Sequence, residues 1–421
     1  MQEEIWRQRT AHYLEQLRQG EVRELYQALD PKMAAQLSFY QLSEMAQQLS
    51  WLTGDYQGRL KEQVQMLSAG EILVSCDEQY SKLVLAAQFV YDDQGRIKQF
   101  GLRPIEEQKA PYTPLRTAAY QEERVKVGIE PQVEGLLTLP SQVEKPPIII
   151  LIQGSGQSDM NESVGALPNR PFAELAHGLA ERGIATLRFN KRFYQYPPQS
   201  AEAVAQITVE QEILADARAA VIQAGSEERV DGQHIFALGH SLGGYLMPRL
   251  AAEQQDMCGV IVMNGPWRPI PEIFAEQKRV LVAAAAHLSA AEKETALEEI
   301  AEDLAKLADP AEQGVVFGQP KGYWRSLEQD QQQCLAQSQA AVLVLQGEYD
   351  FQVEGPRELA YWQAALADRP NSRCRLYPKL SHLMSKAPDK SFDMALYDQP
   401  CPLAETVLQD IAEWVWQIVK G

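Results

Sequence analysis

"FALGHSLGGYLM", residues 236–247, contains a G-x-S-x-G motif centred on Ser241. The residues before it, "HIFAL", are largely apolar and predict a strand, whereas "LGGYLMPRLAAE" predicts a helix in which Pro248 introduces a kink. Glycines on both sides of the serine permit a sharp strand-to-helix turn that lifts the hydroxyl to the carboxyl end of a sheet. The stretch therefore predicts an α/β protein with Ser241 as a nucleophile. The alternative is an ordinary serine in a glycine-rich loop.

The composition excludes several classes of function. The 421 residues are enough for two domains, and the net charge of -18 disfavours nucleic acid and anionic membranes as partners. The five cysteines are odd in number and lack C-x-x-C spacing, so we expect reduced thiols rather than disulfides or structural zinc. The apolar runs are too short to span a membrane, and the polar start "MQEEIWRQRT" is unlike a signal peptide. We expect a cytoplasmic protein, although a chain trimmed of its signal would look the same.

The chain changes texture near residue 108. Residues 1 to about 65 have helical periodicity, and residues 71–103 alternate like strands. A segment rich in proline and charge follows over residues 104–115, which is typical of a linker. We therefore predict a small α+β domain over residues 1–108 and a second domain over residues 109–421.

Strands and helices alternate in the second domain, which predicts a mostly parallel sheet with helices on both faces. Residues 267 to about 335 interrupt this alternation with mainly helical sequence that includes a capping box at Ser289 and Glu292. Insertions of this kind lie at one end of a sheet and often cover a pocket. We predict a helical cap here.

A nucleophilic serine needs a base and an orienting carboxylate. His382 directly follows the last predicted strand, at the end of the sheet where Ser241 lies, whereas the other histidines are placed elsewhere. Those others are His12, His177, His234, His240 and His287. Asp350 ends the strand after the insertion and is the predicted acid, with Glu348 as a neighbouring alternative.

The tetrahedral intermediate of acyl transfer needs backbone donors. The N–H of Leu242 begins the helix after the serine, and the N–H of Ser155 lies in the glycine-rich loop "QGSGQSD". The alternative for this loop is nucleotide binding. It lacks the lysine of a P-loop and the full G-x-G-x-x-G spacing.

The segments "QGSGQSD", "GHSLGG", "GEYDFQV" and "LSHLM" occur in an order and spacing that resemble the α/β-hydrolases of the dienelactone hydrolase and prolyl-oligopeptidase-like group. The resemblance covers residues 120–421 and is strongest to bacterial carboxylesterases. It implies Ser241 as nucleophile, Asp350 as acid and His382 as base, with Ser155 and Leu242 forming the oxyanion hole. The sequence departs from the family pattern at Gln157 and in "FNKRFYQYP". Residues 1–105 resemble a domain of unknown function that precedes such esterases.

The sequence therefore predicts a serine carboxylesterase for small to medium acyl esters, which acts through an acyl-enzyme and needs no metal or organic cofactor. Gln153, Trp267, Tyr323 and Trp324 are expected at the substrate pocket, although the aromatic residues fit the core of the cap equally well. A peptidase, thioesterase or acyltransferase would use the same machinery, and a non-catalytic binding scaffold is a further alternative. The expected partner is a small-molecule ester, and the N-terminal domain is a candidate for homodimerisation.

Overall fold

The computed structural model describes residues 2–34, 37–67, 70–105, 112–165, 169–198, 200–286, 288–309, 314–391 and 394–421. The chain divides into two units, Met1–Tyr112 and Thr113–Gly421. The domain boundary expected at residue 108 falls within residues 106–111, which lie outside the described residues. No helix in the described ranges combines the length and the apolar character needed to cross a bilayer.

In its described residues, the N-terminal unit combines four helices with one antiparallel sheet. The helices are α1 (Gln2–Gln19), α2 (Arg23–Gln27), α3 (Pro31–Ala34) and α4 (Phe39–Thr53). The strands, in the order β1-β2-β3-β4, are β1 (Tyr56–Met66), β2 (Ile72–Tyr80), β3 (Val84–Tyr91) and β4 (Ile97–Ile105). Buried and half-buried residues alternate along β2, so that Val74 and Cys76 share one core with Leu14 and Leu17 of α1.

Strand β1 corrects the expectation that residues 1 to about 65 are helical. It lies at the edge of the sheet, where it pairs with β2, and most of its residues are exposed. Polar side chains such as Arg59 and Lys61 therefore occur without an apolar face, as is common on edge strands. Without that face the sequence lacks the alternation by which a strand is recognised.

The second unit is built on an eight-stranded sheet with the order β14-β13-β10-β9-β7-β8-β6-β5. Its neighbouring strands are parallel from β14 to β8, whereas β6 runs antiparallel to both β8 and β5. The strands are β5 (Tyr120–Val127), β6 (Val133–Pro140), β7 (Ile148–Ile152), β8 (Ala185–Phe189), β9 (Ile235–His240), β10 (Gly259–Met263), β13 (Ala341–Gly347) and β14 (Arg373–Tyr377).

Helices separate most of the parallel strands and cover the sheet. They are α5 (Pro171–Ala180), α6 (Arg192–Gln195), α7 (Ala201–Ala205), α8 (Ala215–Ser226), α9 (Leu242–Tyr245), α10 (Met247–Glu253), α15 (Gly355–Ala365) and α16 (Glu405–Lys420). A π-helical turn, Glu210–Leu214, precedes α8, and a 3₁₀ turn, Met394–Asp398, precedes α16. The predicted α/β fold with a mostly parallel sheet is confirmed.

The predicted helical insertion lies between β10 and β13. It contains α11 (Ile270–Ala284), α12 (Ala290–Ala308), α13 (Lys321–Ser326), α14 (Gln331–Ala336) and a short hairpin of β11 (Val315–Val316) and β12 (Gln319–Pro320). Ser289 caps α12, and both hydrogen bonds of the predicted capping box with Glu292 are present.

The central strands are apolar throughout because both faces of the sheet are covered. All five residues of β7 and of β10, and all seven of β13, are buried. Parallel strands end at the same edge, so the loops after β7, β9, β13 and β14 meet there. These loops carry the residues singled out from the sequence.

Candidate active site

Ser241 lies on a strained turn between β9 and α9. Its backbone has φ 54° and ψ -116°, a conformation that a non-glycine residue adopts only when the surrounding structure enforces it. One source of that constraint is the tight approach at Gly239, where an added Cβ would lie 2.2 Å from the oxygen of Gly243. The Ser241 N–H also donates to the oxygen of Met263 at 2.9 Å. The helix is interrupted after α9 and resumes with Pro248 in the first turn of α10, where proline is tolerated.

Asp350 and His382 come together from the loops after β13 and β14. The Nδ1 atom of His382 lies 2.6 Å from Oδ2 of Asp350, and both residues are buried. The other oxygen of Asp350 accepts the N–H groups of Gln352 and Val353 at 2.8 and 2.9 Å. The alternative acid, Glu348, instead accepts the N–H of Lys379 at 3.1 Å. The geometry thus pairs His382 with Asp350.

Asn264, which follows β10, ties these two loops together. Its amide nitrogen donates to the backbone oxygens of His382 and Ser381 at 2.7 and 3.2 Å, and its side-chain oxygen accepts the Gly347 N–H at 2.8 Å. The residue is fully buried and has φ 51°. Sequence reasoning missed Asn264, although an Asn-Gly pair at a strand end is a recognisable sign of a special backbone conformation.

The glycine-rich loop after β7 lies directly beside the serine. A Cβ added to Gly154 would lie 3.1 Å from the Cβ of Ser241, so a larger residue here would require a shift of a few tenths of an ångström at the serine. The Gly154 N–H donates to Oε1 of Glu162 at 2.8 Å. The side chain of Gln153 donates to the oxygens of Phe189 and Asp159 and thereby holds the loop.

His240 connects the glycine-rich loop with the loop after β14. Its Nε2 donates to the backbone oxygen of His382 at 2.9 Å, and its Nδ1 lies 3.0 Å from Oε1 of Glu162 without hydrogen-bond alignment. The rings of His240 and His382 are 4.7 Å apart. Burial lowers the pKa of His240, but the charge of Glu162 and the hydrogen bond to the His382 oxygen outweigh that effect, so the net pKa is raised. Sequence reasoning missed the contact between His240 and Glu162 because the two residues are far apart in the chain.

A cavity of about 140 Å³ opens at the turn. Ser155, Ser241 and Leu242 line it on the side of the sheet, and the cap supplies mainly apolar side chains. Those cap residues include Ile270, Ile273, Phe274, Tyr323, Trp324 and Leu327.

Of the residues expected at the substrate pocket, two line this cavity and two have other contacts. Neither Gln153 nor Trp267 is among the described residues that line the cavity, whereas Tyr323 and Trp324 are. Gln153 is occupied with backbone oxygens, and the indole of Trp267 packs edge-to-face on Trp362 with ring centroids 4.9 Å apart. Both are consequences of tertiary packing that the sequence does not reveal.

Each of the remaining described histidines contacts a carboxylate close to it. His12, His177 and His234 contact Glu24, Glu122 and Asp231, respectively. His287 lies outside the described residues. Nowhere in the described ranges do three His, Cys, Asp or Glu side chains group so as to hold a metal ion.

Comparison with known proteins identifies a curated relative of this chain. Esterase EstD from Thermotoga maritima is 31% identical over 282 residues, which are 67% of this chain and 65% of that protein. The match therefore spans slightly less than two thirds of the relative.

Two solved structures overlap with the chain at lower identity. Est1E from Butyrivibrio proteoclasticus superposes with a TM-score of 0.46 at 19% identity, over 71% of this chain and 99% of that one. A dienelactone hydrolase from Anabaena variabilis gives 0.39 at 18% identity, over 71% of this chain and 98% of that one.

Residues 149–393, more than half of the chain, match the alpha/beta hydrolase family. This segment runs from β7 through the turn at Ser241 and the helical insertion to the loop after β14. On this match the chain belongs to the alpha/beta hydrolase family.

Proposed function

We propose that the protein is a serine carboxylesterase in which Ser241, His382 and Asp350 act as nucleophile, base and orienting acid. The observation that carries the proposal is the buried His382–Asp350 pair, in which Nδ1 and Oδ2 are 2.6 Å apart. The His382 ring lies 4.7 Å from the ring of His240, and His240 directly precedes Ser241 on the strained strand-to-helix turn at the cavity. The similarity to Esterase EstD supports hydrolysis of esters.

In this mechanism His382 takes the proton of the Ser241 hydroxyl as its oxygen attacks the ester carbonyl carbon. The N–H groups of Ser155 and Leu242 stabilise the oxyanion that forms. When the intermediate collapses, the alcohol leaves with the proton from His382, and the acyl group remains on Ser241. Water, activated by His382, then adds to the acyl carbon and releases the carboxylic acid.

The size of the cavity favours short acyl groups. Its volume of about 140 Å³ is close to the ~150 Å³ of an engineered apolar cavity that accepts benzene. We therefore expect acetyl to roughly hexanoyl esters to be the best substrates and palmitoyl esters to be excluded. The apolar side chains contributed by the cap suit such acyl groups.

Hydrolysis of a p-nitrophenyl ester series from acetate to palmitate tests the proposal. Wild type should cleave the short esters, and Ser241→Ala should lose turnover by a factor on the order of 10⁶. Ser226→Ala, in an exposed serine at the end of α8, is the matched control and should behave as wild type. A wild-type protein that is inert on every ester would refute the esterase assignment, and peptides and thioesters would then be tested with the same variants.

A further inference from the structure

Lys191 is a buried lysine close to the serine. It follows β8 by two residues and is only 3% exposed. A lysine is almost never buried to this extent unless its charge is compensated. Its Nζ atom makes two contacts, to Oε1 of Glu212 at 2.6 Å and to the backbone oxygen of Gly154 at 2.9 Å.

The second contact matters because of the peptide group to which the oxygen belongs. The carbonyl of Gly154 and the N–H of Ser155 are the two ends of one planar peptide unit. The ammonium of Lys191 therefore binds the oxygen end of the peptide whose N–H is the proposed oxyanion donor. A charged donor on the carbonyl fixes the plane of the peptide and draws electron density toward the oxygen, which strengthens the N–H as a donor.

The segment around Lys191 holds the same loop at further points. The Lys191 N–H donates to the oxygen of Ser158 at 3.1 Å, and Oδ1 of Asn190 accepts the N–H of Met160 at 2.8 Å. On the other side of Gly154, Glu162 accepts the N–H of the preceding peptide unit. Among these contacts, the one from Lys191 acts on the peptide that carries the Ser155 N–H.

Lys191 is itself held in place by Glu212 and the cap. Glu212 lies in the π-helical turn before α8, and its second oxygen accepts the hydroxyl of Tyr323 from α13 at 2.6 Å. Glu212 and Tyr323 both line the cavity. Burial and the charge of Glu212 raise the pKa of Tyr323, so the phenol stays protonated and remains a donor. Three side chains thus link the cap to the peptide beside Ser241.

We infer that Lys191 is a positioning residue that orients and polarises the Gly154–Ser155 peptide for oxyanion stabilisation, with Glu212 and Tyr323 holding its ammonium in place. The inference rests on the proposed function, because it takes the Ser155 N–H as an oxyanion donor. Lys191 does not touch the substrate in this role, and its effect appears in the transition state.

The test replaces the ion pair without leaving a lone buried charge. The double variant Lys191→Met/Glu212→Gln removes both charges at similar side-chain length. Arg188→Met/Glu122→Gln is the matched control. This ion pair is also buried, and its arginine lies in β8, the strand that Lys191 follows. Thermal unfolding identifies the folded variants, and kcat and KM are measured with p-nitrophenyl acetate.

A second measurement uses a fluorophosphonate probe, which needs no ester turnover. The Ser241 oxygen bonds to phosphorus, fluoride leaves, and the hydroxyl proton passes to His382. The phosphoryl oxygen occupies the oxyanion hole during this step. The labelling rate therefore reports the oxyanion hole even if esters are the wrong substrate.

We expect kcat and the labelling rate of the Lys191→Met/Glu212→Gln variant to fall by about 10- to 100-fold while KM hardly changes. The control variant should lose thermal stability but keep both rates. A folded site variant with unchanged rates overturns the inference, as does a loss confined to KM or an equal loss of rate in the control. If wild type is labelled but cleaves no ester, the proposed function fails alone, and the labelling rates still decide the role of Lys191. If wild-type Ser241 does not react with the probe, both fail.

Discussion

Two buried cations near the carboxyl end of β8 bind different kinds of group. Arg188, in β8, donates to Glu122, Thr138 and Asn161 at 2.6, 2.9 and 3.1 Å. Lys191, two residues beyond the strand, pairs with Glu212 and reaches the backbone oxygen of Gly154. Burial and pairing are alike in both, so neither property distinguishes a stabilising ion pair from a functional one. The difference lies in the group that the cation holds. Lys191 holds a peptide beside Ser241, whereas Arg188 holds the side chains of Glu122, Thr138 and Asn161.

After Ser241→Ala, the largest loss of kcat is expected when the carboxylate that pairs with His382 is changed. Asp350→Asn should reduce kcat by roughly 10⁴-fold, because an amide no longer stabilises the imidazolium and favours the wrong tautomer of His382. The measurement is the steady-state hydrolysis of p-nitrophenyl acetate.

The matched control for this prediction is Glu348→Gln. It changes a carboxylate in the same loop that contacts Lys379 rather than His382, and it should keep most of the activity. Equal losses in the two variants would mean that the loop as a whole, and not the Asp350 carboxylate, supports catalysis.

Breaking the ion pair between Arg188 and Glu122 should lower the free energy of unfolding and leave kcat unchanged. Glu122→Gln leaves the guanidinium of Arg188 buried without its carboxylate, which typically costs about 3–5 kcal/mol. Urea unfolding followed by intrinsic fluorescence measures this loss, and kcat of the folded variant should equal that of wild type. A fall in kcat at a temperature where the variant is fully folded would erase the distinction between the two ion pairs.

The same pair should show a defined pH dependence. Burial raises the pKa of Glu122, but the hydrogen bond from His177 and the charge of Arg188 outweigh burial and lower the pKa to about 2 from its ordinary value of 4.5. The depressed pKa contributes stability that is fully present above about pH 4.5 and is lost as the pH falls toward 2. The difference in unfolding free energy between wild type and Glu122→Gln should therefore be constant from pH 5 to 7 and shrink below pH 4.5. A difference that grows on acidification would contradict this assignment.

The smallest effect is expected at the outer end of the Lys191 cluster. Tyr323→Phe removes one hydrogen bond to the Glu212 carboxylate, and such a bond contributes about 1.5–3 kcal/mol. Because Lys191 still pairs with Glu212, kcat should fall by less than in the Lys191→Met/Glu212→Gln variant. Urea unfolding and steady-state kinetics on the same preparation measure both quantities. Tyr245→Phe, which removes a 3.3 Å hydrogen bond to the Leu327 oxygen, is a suitable control for loss of a buried hydroxyl.

Features encoded in consecutive residues could be predicted from the sequence. The turn at Ser241, the buried central strands and the capping box at Ser289 each depend on a local pattern, and the structure contains all three. The contact between His382 and Asp350 could be predicted because loops after parallel strands must meet at one edge of the sheet.

Features that depend on contacts between distant residues were not predicted. Lys191 contacts Glu212, and Glu162 contacts His240. In neither pair does the separation along the chain indicate a contact. The side chain of Gln153 donates to the backbone oxygen of Phe189, a residue 36 positions away, and no local pattern marks that contact. Strand β1 was missed because an exposed edge strand needs no apolar alternation.

The π-helical turn Glu210–Leu214 contains Glu212 and changes the direction in which the following side chains project from the helix. A π-turn holds one residue more than an α-turn, and each residue advances a helix by about 100°. Residues before and after the turn therefore cannot all lie on the stripe that an uninterrupted helix would present to the sheet. The extra residue lets α8 keep Ala217, Ala220 and Val221 buried while the Glu212 carboxylate is aimed at Lys191. The one additional residue thus allows the helix to pack on the sheet and to place a charge beside Lys191. A regular helix would have to meet both demands with one fixed set of side-chain directions.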